Sequence, residues 1–551
     1  MIFTSRYQID VPQVDVLTYL FETPPARQDS FVYVDAERPT QGLRMPELKS
    51  SVQRLARGLR DKENVRDGHV VLAYTENSIW YPVIVLGTIC AGAVFTGANP
   101  GYTSTELGHQ LKVSGARCIF TDSDRLDRTL QAARAVGLPD SSIILVDHGD
   151  QSPRDAGHGF CSIHDLLASE PYSWEVVRDR AVLAEKIAVL NFSSGTTGSP
   201  KACMITHGNL VANAEQQLHL DRVARERSSD PRYAAHDVHC AFLPFYHASG
   251  MIVYCLMNLK RPCTTVVMRR FSLKLLLATI QRFRVTYLFI APPVAVMLAK
   301  SDLLAQYDLG SVKFLFCGAA PLKPELSRKL EAIFSGGRVR SRQGWGMTEA
   351  TMAVTLFAPD EFDPSHRGVG YLVPNTEMKI VADDGRPLGC NEEGEALVRS
   401  PGAFKGYYKN PDATREAWTE DGWLRTGDIV TMDESGLLTI VGRKKQLIKV
   451  KGFQVAPSEL EGQLLEHEGV KDCAVIGVNR DGQEHPQAHI VPRDSAVTAA
   501  SILEFMDRRL SAHKRLTGGI VFTDAIPKSA SGKILHRLLQ DTAPSSRQAR
   551  L

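Results

Sequence analysis

Residues Ser193 to Lys201 read SSGTTGSPK and follow an apolar, β-branched run, Ile187 to Phe192 (IAVLNF). The run predicts a buried strand, and a strand ending in a Gly- and Ser-bearing turn is where α/β proteins hold ligands. Gly195 and Gly198 let backbone N–H groups turn toward an anion. Ser193, Ser194, Thr196 and Thr197 add hydroxyl donors, and Lys201 adds a charge. This is chemistry for gripping a polyphosphate. The spacing is not GxxxxGK[ST], so a P-loop is excluded. A Ser/Thr/Gly cluster alone would read as a surface loop with an incidental lysine; nine such positions after a buried strand do not.

Working outward, short β-branched runs alternate with helical patterns, as in a βαβ protein. Val70 to Tyr74, Thr286 to Ile290 and Val312 to Phe316 read as strands. Lys323 to Phe334 reads as a helix with Leu326, Leu330, Ile333 and Phe334 on one face and Pro324 near its start. The uncharged stretch Trp80 to Ala98 approaches the length of a membrane span, but its proline, glycines and threonines predict a buried helix feeding a strand. Texture changes near Arg443 to Gln446. Before it, Asp421-Gly422 and Ser435-Gly436 mark hairpins; after it, Pro457 to Glu468 reads as a helix with Leu460, Leu464 and Leu465 inward. The predicted fold is α/β. Residues 1–443 form a large N-terminal α/β region of several subdomains. Residues 444–551 form a small mobile α+β C-terminal domain with a polar tail from about 540.

Composition narrows the function classes. Among 551 residues, 64 basic and 62 acidic side chains nearly cancel, which excludes a nucleic-acid scaffold. A hydrophobic content of 43% supports a true core. The ten cysteines include no CxxC pair, so buried thiols in a reducing compartment are expected rather than zinc or disulfides. Glu484, His485 and His489 lack metal-ligand spacing and read as a solvated loop. Asp10 and Asp15 interrupt what a secretory signal would need as an apolar core.

Further blocks follow the loop in order: QGWGMTE at Gln343 to Glu349, TGD at Thr426 to Asp428, GRKKQLIKVKG at Gly442 to Gly452, and SASGK at Ser529 to Lys533. Together they resemble the adenylate-forming superfamily of acyl- and aryl-CoA ligases, firefly-luciferase-like proteins and nonribosomal adenylation domains. The resemblance is closest to the 4-coumarate-CoA-ligase-like branch, of which KGFQVAPSELE at Lys451 to Glu461 is typical.

The resemblance implies roles that the chemistry supports. Thr348 offers a hydroxyl to the α-phosphate, and Glu349 a carboxylate to Mg²⁺ bridging the leaving phosphates. Trp345 stands where the family more often has tyrosine, and either ring can stack on adenine. Gln343, Gly344 and the strip Gly318, Ala319, Ala320 would lie along that adenine. Asp428 would accept from the ribose hydroxyls, with Arg443 assisting. Lys533 would gather the negative charge that builds up when a carboxylate attacks the α-phosphorus. His247 in FLPFYHASG, with Ser249 and Gly318, would border the acid pocket. The hinge maps to Lys445, and Lys445, Lys449 and Gln454 would lie near AMP. Lys451 and Gly452 would neighbour CoA, and Arg270 would meet a CoA phosphate.

The implied enzyme is an AMP-forming acid–CoA ligase using ATP, Mg²⁺ and CoA. The carboxylic acid becomes an acyl-adenylate, and a thiol then displaces AMP. The small domain rotates between the halves. The expected acid is aryl, phenylpropanoid or medium-chain, in a secondary-metabolite pathway. Alternatives are a stand-alone adenylating enzyme serving a carrier protein, a luciferase-like oxygenase, and a catalytically dead nucleotide-binding protein. No aspartate stands near FYHASG to bind an amino-acid ammonium, and no carrier serine motif follows Lys533. Neither nucleic acid nor a membrane span is expected. Ala549, Arg550 and Leu551 match the small–basic–Leu address read by the peroxisomal import receptor; the expected location is the peroxisome, otherwise the cytoplasm.

Overall fold

The computed structural model describes residues 1–22, 30–146, 159–193, 200–228, 230, 236–318, 322–334, 338–450, 453–480, 483–494, 496–511, 514–529 and 532–542. Among these, the two largest sheets are mainly parallel. One has eight strands in the order Gly406–Tyr407, Lys201–Thr206, Ile187–Ser193, Val94–Gly97, Val70–Tyr74, Cys118–Thr121, Ile143–Leu145 and Cys161–Ser162. From Ile187–Ser193 onward its neighbours run parallel, and the first two strands are antiparallel additions. The other has seven, in the order Ser341–Gln343, Phe314–Cys317, Tyr287–Ile290, Asp237–Ala241, Cys263–Val267, Phe31–Asp35 and Gly42–Arg44. A third, antiparallel sheet includes Leu424–Met432 beside Leu438–Arg443.

One apolar core ties these sheets together. It takes Val71, Phe95 and Phe120 from the first, Tyr33, Ala241 and Phe289 from the second, and Ile380, Val398 and Val430 from the third. A separate core spans Ile448 to Leu516, under the antiparallel pair Val470–Arg480 and Gln483–Pro492. This is the α/β architecture expected, a large region followed by a smaller α+β one.

The stretch Trp80 to Ala98 resolves into the buried helix Tyr81–Cys90 and the strand Val94–Gly97, turned at Gly92 with φ +80°. Among the described residues no helix is long and apolar enough to cross a membrane. Asp15, read as a break in an apolar segment, is buried and accepts from the N–H groups of Leu17 and Thr18, capping Val16–Phe21. All ten cysteines are free thiols.

Two expectations are corrected. The helix from Pro457 ends at Leu464, and Leu465 is 39% exposed, because one residue past Leu464 the side chain is rotated by roughly 100° from the face that Leu460 and Leu464 share. Glu484, His485 and His489 lie on the strand Gln483–Pro492, not a loop, with His489 buried beside its cross-strand partner Ala474 on the face opposite Ala488 and Ile490. Strand pairing over ten residues overrides the polar composition that suggested a loop.

Candidate active site

Parallel register brings the first parts together. Ile290 pairs with Cys317, and Cys317 with Gln343, so Gly318 and Gly344 leave adjacent strand ends. Glycine is needed at 344, where an added Cβ would stand 2.6 Å from Leu356 and 2.7 Å from Phe316. Gln343 is buried and bridges two loops: its Oε1 accepts from Leu322 N at 2.6 Å, and its Nε2 donates to the His366 carbonyl at 3.1 Å. It holds the frame of the strip.

Trp345 follows and donates through Nε1 to Asp428 Oδ2 at 2.8 Å. Asp428 sits on Leu424–Met432, paired directly with Arg443 on the next strand, and Arg443 Nε reaches Asp428 Oδ1 at 2.8 Å. Each carboxylate oxygen therefore has one protein donor and keeps lone pairs for a diol. Burial raises the Asp428 pKa, against the pull of Arg443 and Trp345.

Thr348 and Glu349 open the short turn Thr348–Ala350, closed by Thr351 at φ +66° and pinned by the Thr351 hydroxyl on the Gly402 carbonyl at 2.7 Å. Glu349 is buried, and its Oε1 accepts from the Tyr407 hydroxyl at 2.8 Å. Lys201 Nζ lies 4.8 Å from the centre of the Tyr407 ring. Lys201 also pairs in register with Ser193, so the two ends of the Ser/Thr/Gly loop meet at its base. Tyr407 thus links the loop lysine to the candidate metal carboxylate, a role the sequence reading missed.

Lys533 arrives from the small region. Burial lowers its pKa and Arg443 adds repulsion, while Asp428 and Glu349 pull the other way. Its loop is closed by the Ser529 N–H on the Lys533 carbonyl at 2.8 Å, and Gly532, at φ +82°, packs on Pro293 with no room for a Cβ. His247 is pushed down to about 4 by burial and by the Lys533 charge, so it is neutral at pH 7. Its Nδ1 lies 3.0 Å from the Ser249 hydroxyl. Asn77, also missed, clasps the preceding turn through the Leu243 carbonyl at 3.0 Å and the Phe245 N–H at 2.9 Å.

The structure therefore gathers Ser193, Lys201, Thr348, Glu349, Trp345, Asp428, Arg443 and Lys533 at one end of the sheets, with Gly318, Gln343 and Gly344 behind the ring. His247 and Ser249 stand on the Lys533 side. Arg270 is not drawn in; it ion-pairs with Glu76 at 3.2 Å and with Asp124. Lys445 is exposed in the turn between regions. Lys449 and Gln454 pair across the strands Ile448–Val450 and Phe453–Val455, their side chains outside what is described. Ser194, Gly195, Thr196, Thr197, Gly198, Ala319, Ala320, Lys451, Gly452, Ala549, Arg550 and Leu551 lie outside the described residues.

Chemically, a diol acceptor, a flat ring, a buried carboxylate and two lysines suit a nucleoside polyphosphate meeting an anion. Among the described residues no group of three or more His, Cys, Asp or Glu could hold a metal. One carboxylate at Glu349 fits Mg²⁺, which is commonly held by one or two carboxylates plus substrate phosphates.

Comparison with known proteins agrees with that chemistry. The family described as AMP-binding enzyme matches residues 22–408, and the AMP-binding enzyme C-terminal domain matches 459–533. A phenylacetyl-CoA ligase of Aspergillus niger is 34% identical, covering 98% of this chain and 99% of its own. A 4-coumarate-CoA ligase of Narcissus pseudonarcissus is 34% identical, covering 90% of this chain and 87% of its own. Among solved structures, ATP-bound MatB from Rhodopseudomonas palustris is 26% identical with a TM-score of 0.82, covering 96% of this chain and 98% of its own.

Proposed function

Because the chain belongs to the AMP-binding enzyme family and is an AMP-forming acid–CoA ligase that uses ATP and CoA, we propose that it activates aryl, phenylpropanoid or medium-chain acids with Mg²⁺ held at Glu349. The observation that carries this reading is the seating of Lys533 within electrostatic reach of Asp428, Glu349 and His247. A cation there meets both the entering carboxylate and the α-phosphate, so it stabilises the charge that develops between two anions. Tyr407 orients Glu349 and steadies Lys201, which meets the phosphates that leave. Neutral His247 and the small side chains at Ser249 and Gly318 leave an uncharged berth for the organic part of the acid. The relatives named for phenylacetyl-CoA and 4-coumarate-CoA formation support the aryl side of that range.

The test is direct. The purified protein is given ATP, Mg²⁺, CoA and, in turn, phenylacetic, 4-coumaric and octanoic acids. The expected products are AMP, pyrophosphate and the acyl thioester, with AMP release lost on chelation of Mg²⁺. Formation of ADP, or AMP release indifferent to chelation, would contradict the proposal. The place in a secondary-metabolite pathway is part of the same reading, supported by the kinship with the Aspergillus ligase. Ala549-Arg550-Leu551 is proposed as a peroxisomal address. A fluorescent protein carrying the last residues should become punctate, and deleting Leu551 should return it to the cytosol.

A further inference from the structure

Lys533 is carried by a tight loop that is well anchored within the small region. Lys533 N donates to Ser529 Oγ at 3.1 Å, Lys528 and Ile534 bridge across the loop, and Leu535 N donates to the Pro527 carbonyl at 2.9 Å. Ile534 and Leu539 then pack with Ala474, Ile476 and Ile526 in a small apolar cluster. His536, between those two anchors, takes no part in the cluster and meets two polar side chains instead. Its Nε2 lies 3.0 Å from Glu461 Oε1, and its Nδ1 lies 3.4 Å from Gln446 Nε2. A carboxylate accepts and an amide nitrogen donates, so His536 donates through Nε2–H and accepts at Nδ1. A single tautomer satisfies both partners.

The two partners have different attachments. Glu461 belongs to the helix Pro457–Leu464, and the same Oε1 accepts from Val475 N at 2.9 Å, which fixes it to the body of the small region. Gln446 lies in the turn that follows Leu438–Arg443, next to Lys445, the expected hinge. Its own N–H donates to the Arg443 carbonyl at 2.9 Å, and Leu447 N–H donates to the same oxygen at 3.0 Å. Arg443 in turn holds Asp428 at 2.8 Å. A path of hydrogen bonds therefore runs from Asp428 through Arg443, Gln446 and His536 to the segment that carries Lys533, although Gln446 and His536 are 90 residues apart in the chain. Only 16% and 13% of the His536 and Glu461 side-chain surfaces are exposed, so water competes little for their bond.

We propose that His536 is a positioning residue for the first half-reaction. It couples the hinge turn to the Lys533 loop, so that the turn which sets Arg443 beside Asp428 also sets the lysine. The proposal rests on the reading of Lys533 as the residue that serves adenylation. His536 acts only through Gln446 and the loop. Without the link, Lys533 keeps its loop but loses its register against the nucleotide residues. That slows the chemical step and leaves the binding of ATP and acid alone. The second half-reaction, which does not use Lys533, is untouched.

The full-length protein is followed in both half-reactions: pyrophosphate release with the best used of phenylacetic, 4-coumaric and octanoic acids, and thioester formation from supplied acyl-adenylate and CoA. His536→Leu and Gln446→Leu should each lower kcat for pyrophosphate release by about 3–10-fold, the worth of one sheltered hydrogen bond. The KM values for ATP and acid, and the rate of thioester formation, should stay within about twofold. The double variant His536→Leu/Gln446→Leu should lose no more than the worse single one, because both changes break the same link. The exchange Gln446→Glu/His536→Arg places a guanidinium between two carboxylates and should bring the rate back to within about twofold. Glu461 is left in place because Val475 depends on it. Thermal transitions are compared, and where a Leu variant melts early, recovery by the exchange decides. Losses that multiply in the double variant, an exchange that fails to recover the rate, or equal loss in both half-reactions overturns the inference. Lys533→Ala, run beside these, separates the readings. If it leaves pyrophosphate release intact, the role of Lys533 falls and this inference with it. If it removes release while His536→Leu does not lower it, only this inference falls.

Discussion

At Asp428 a single carboxylate holds two protein groups and, in the proposed function, also accepts the ribose hydroxyls. Trp345 and Arg443 each donate to one oxygen at 2.8 Å, so the carboxylate is aimed before any nucleotide arrives. Trp345→Phe keeps a ring for stacking and removes one charge-assisted donor. The KM for ATP should rise by about tenfold, the worth of one hydrogen bond to a charged group, with kcat changed much less; steady-state kinetics decide it. Lys533 sets a pH dependence. Burial moves its pKa below the ordinary 10.5, so the charge proposed to support adenylation is lost at lower pH than that of a free lysine. Adenylation should show an alkaline limb below 10.5 that is absent when supplied acyl-adenylate reacts with CoA. Stability runs the other way: between the lowered value and 10.5 the unfolded chain holds the proton that the folded one has shed, so this residue favours folding more as pH rises. His247, pushed down to about 4, is lost from the stability side in acid: between 6.5 and about 4 the unfolded state binds its proton and folding weakens as pH falls.

At the scale of elements, the acid berth depends on a turn with no slack. An added Cβ at Gly250 would lie 2.1 Å from the Pro244 carbonyl, and Asn77 already fixes the backbone of Leu243 and Phe245. Gly250→Ala should cost about 1–3 kcal/mol, as overpacking does, and raise the KM for the acid more than that for ATP. Denaturant unfolding and kinetics with each substrate varied check both halves. Much at this scale was legible. Val70–Tyr74 begins and ends where its apolar run does, and Ile187–Ser193 runs one residue past the stretch read, into the phosphate turn. What was not legible came from pairing. Leu465 repeats the apolar spacing of Leu460 and Leu464, but the helix ends one residue earlier; His485 and His489 look solvated until a ten-residue antiparallel partner makes them a strand.

For the whole molecule, the blocks of the sequence announced a nucleotide site, because Gly, Lys, Glu and Asp in fixed spacing carry their chemistry locally. Tyr407 was invisible for the opposite reason. It stands 58 residues from Glu349 and reaches it only because Gly406–Tyr407 joins the edge of the sheet next to Lys201–Thr206. Among the described residues the small region meets the large one where Lys323 donates to the Gly462 carbonyl, the Ser458 hydroxyl donates to the Val441 carbonyl and Gly532 rests on Pro293. Contacts of this kind can be left and regained, as the proposed movement of Lys533 between the two steps requires. The central claim is that Lys533 serves the first chemical step and not the second. Its most direct test is Lys533→Ala, followed separately in the two half-reactions. Acid-dependent pyrophosphate release should fall by about 10²–10³-fold, the usual effect of removing one donor from a developing charge, while supplied acyl-adenylate and CoA still give thioester at close to the original rate. Equal loss in both halves would contradict the account.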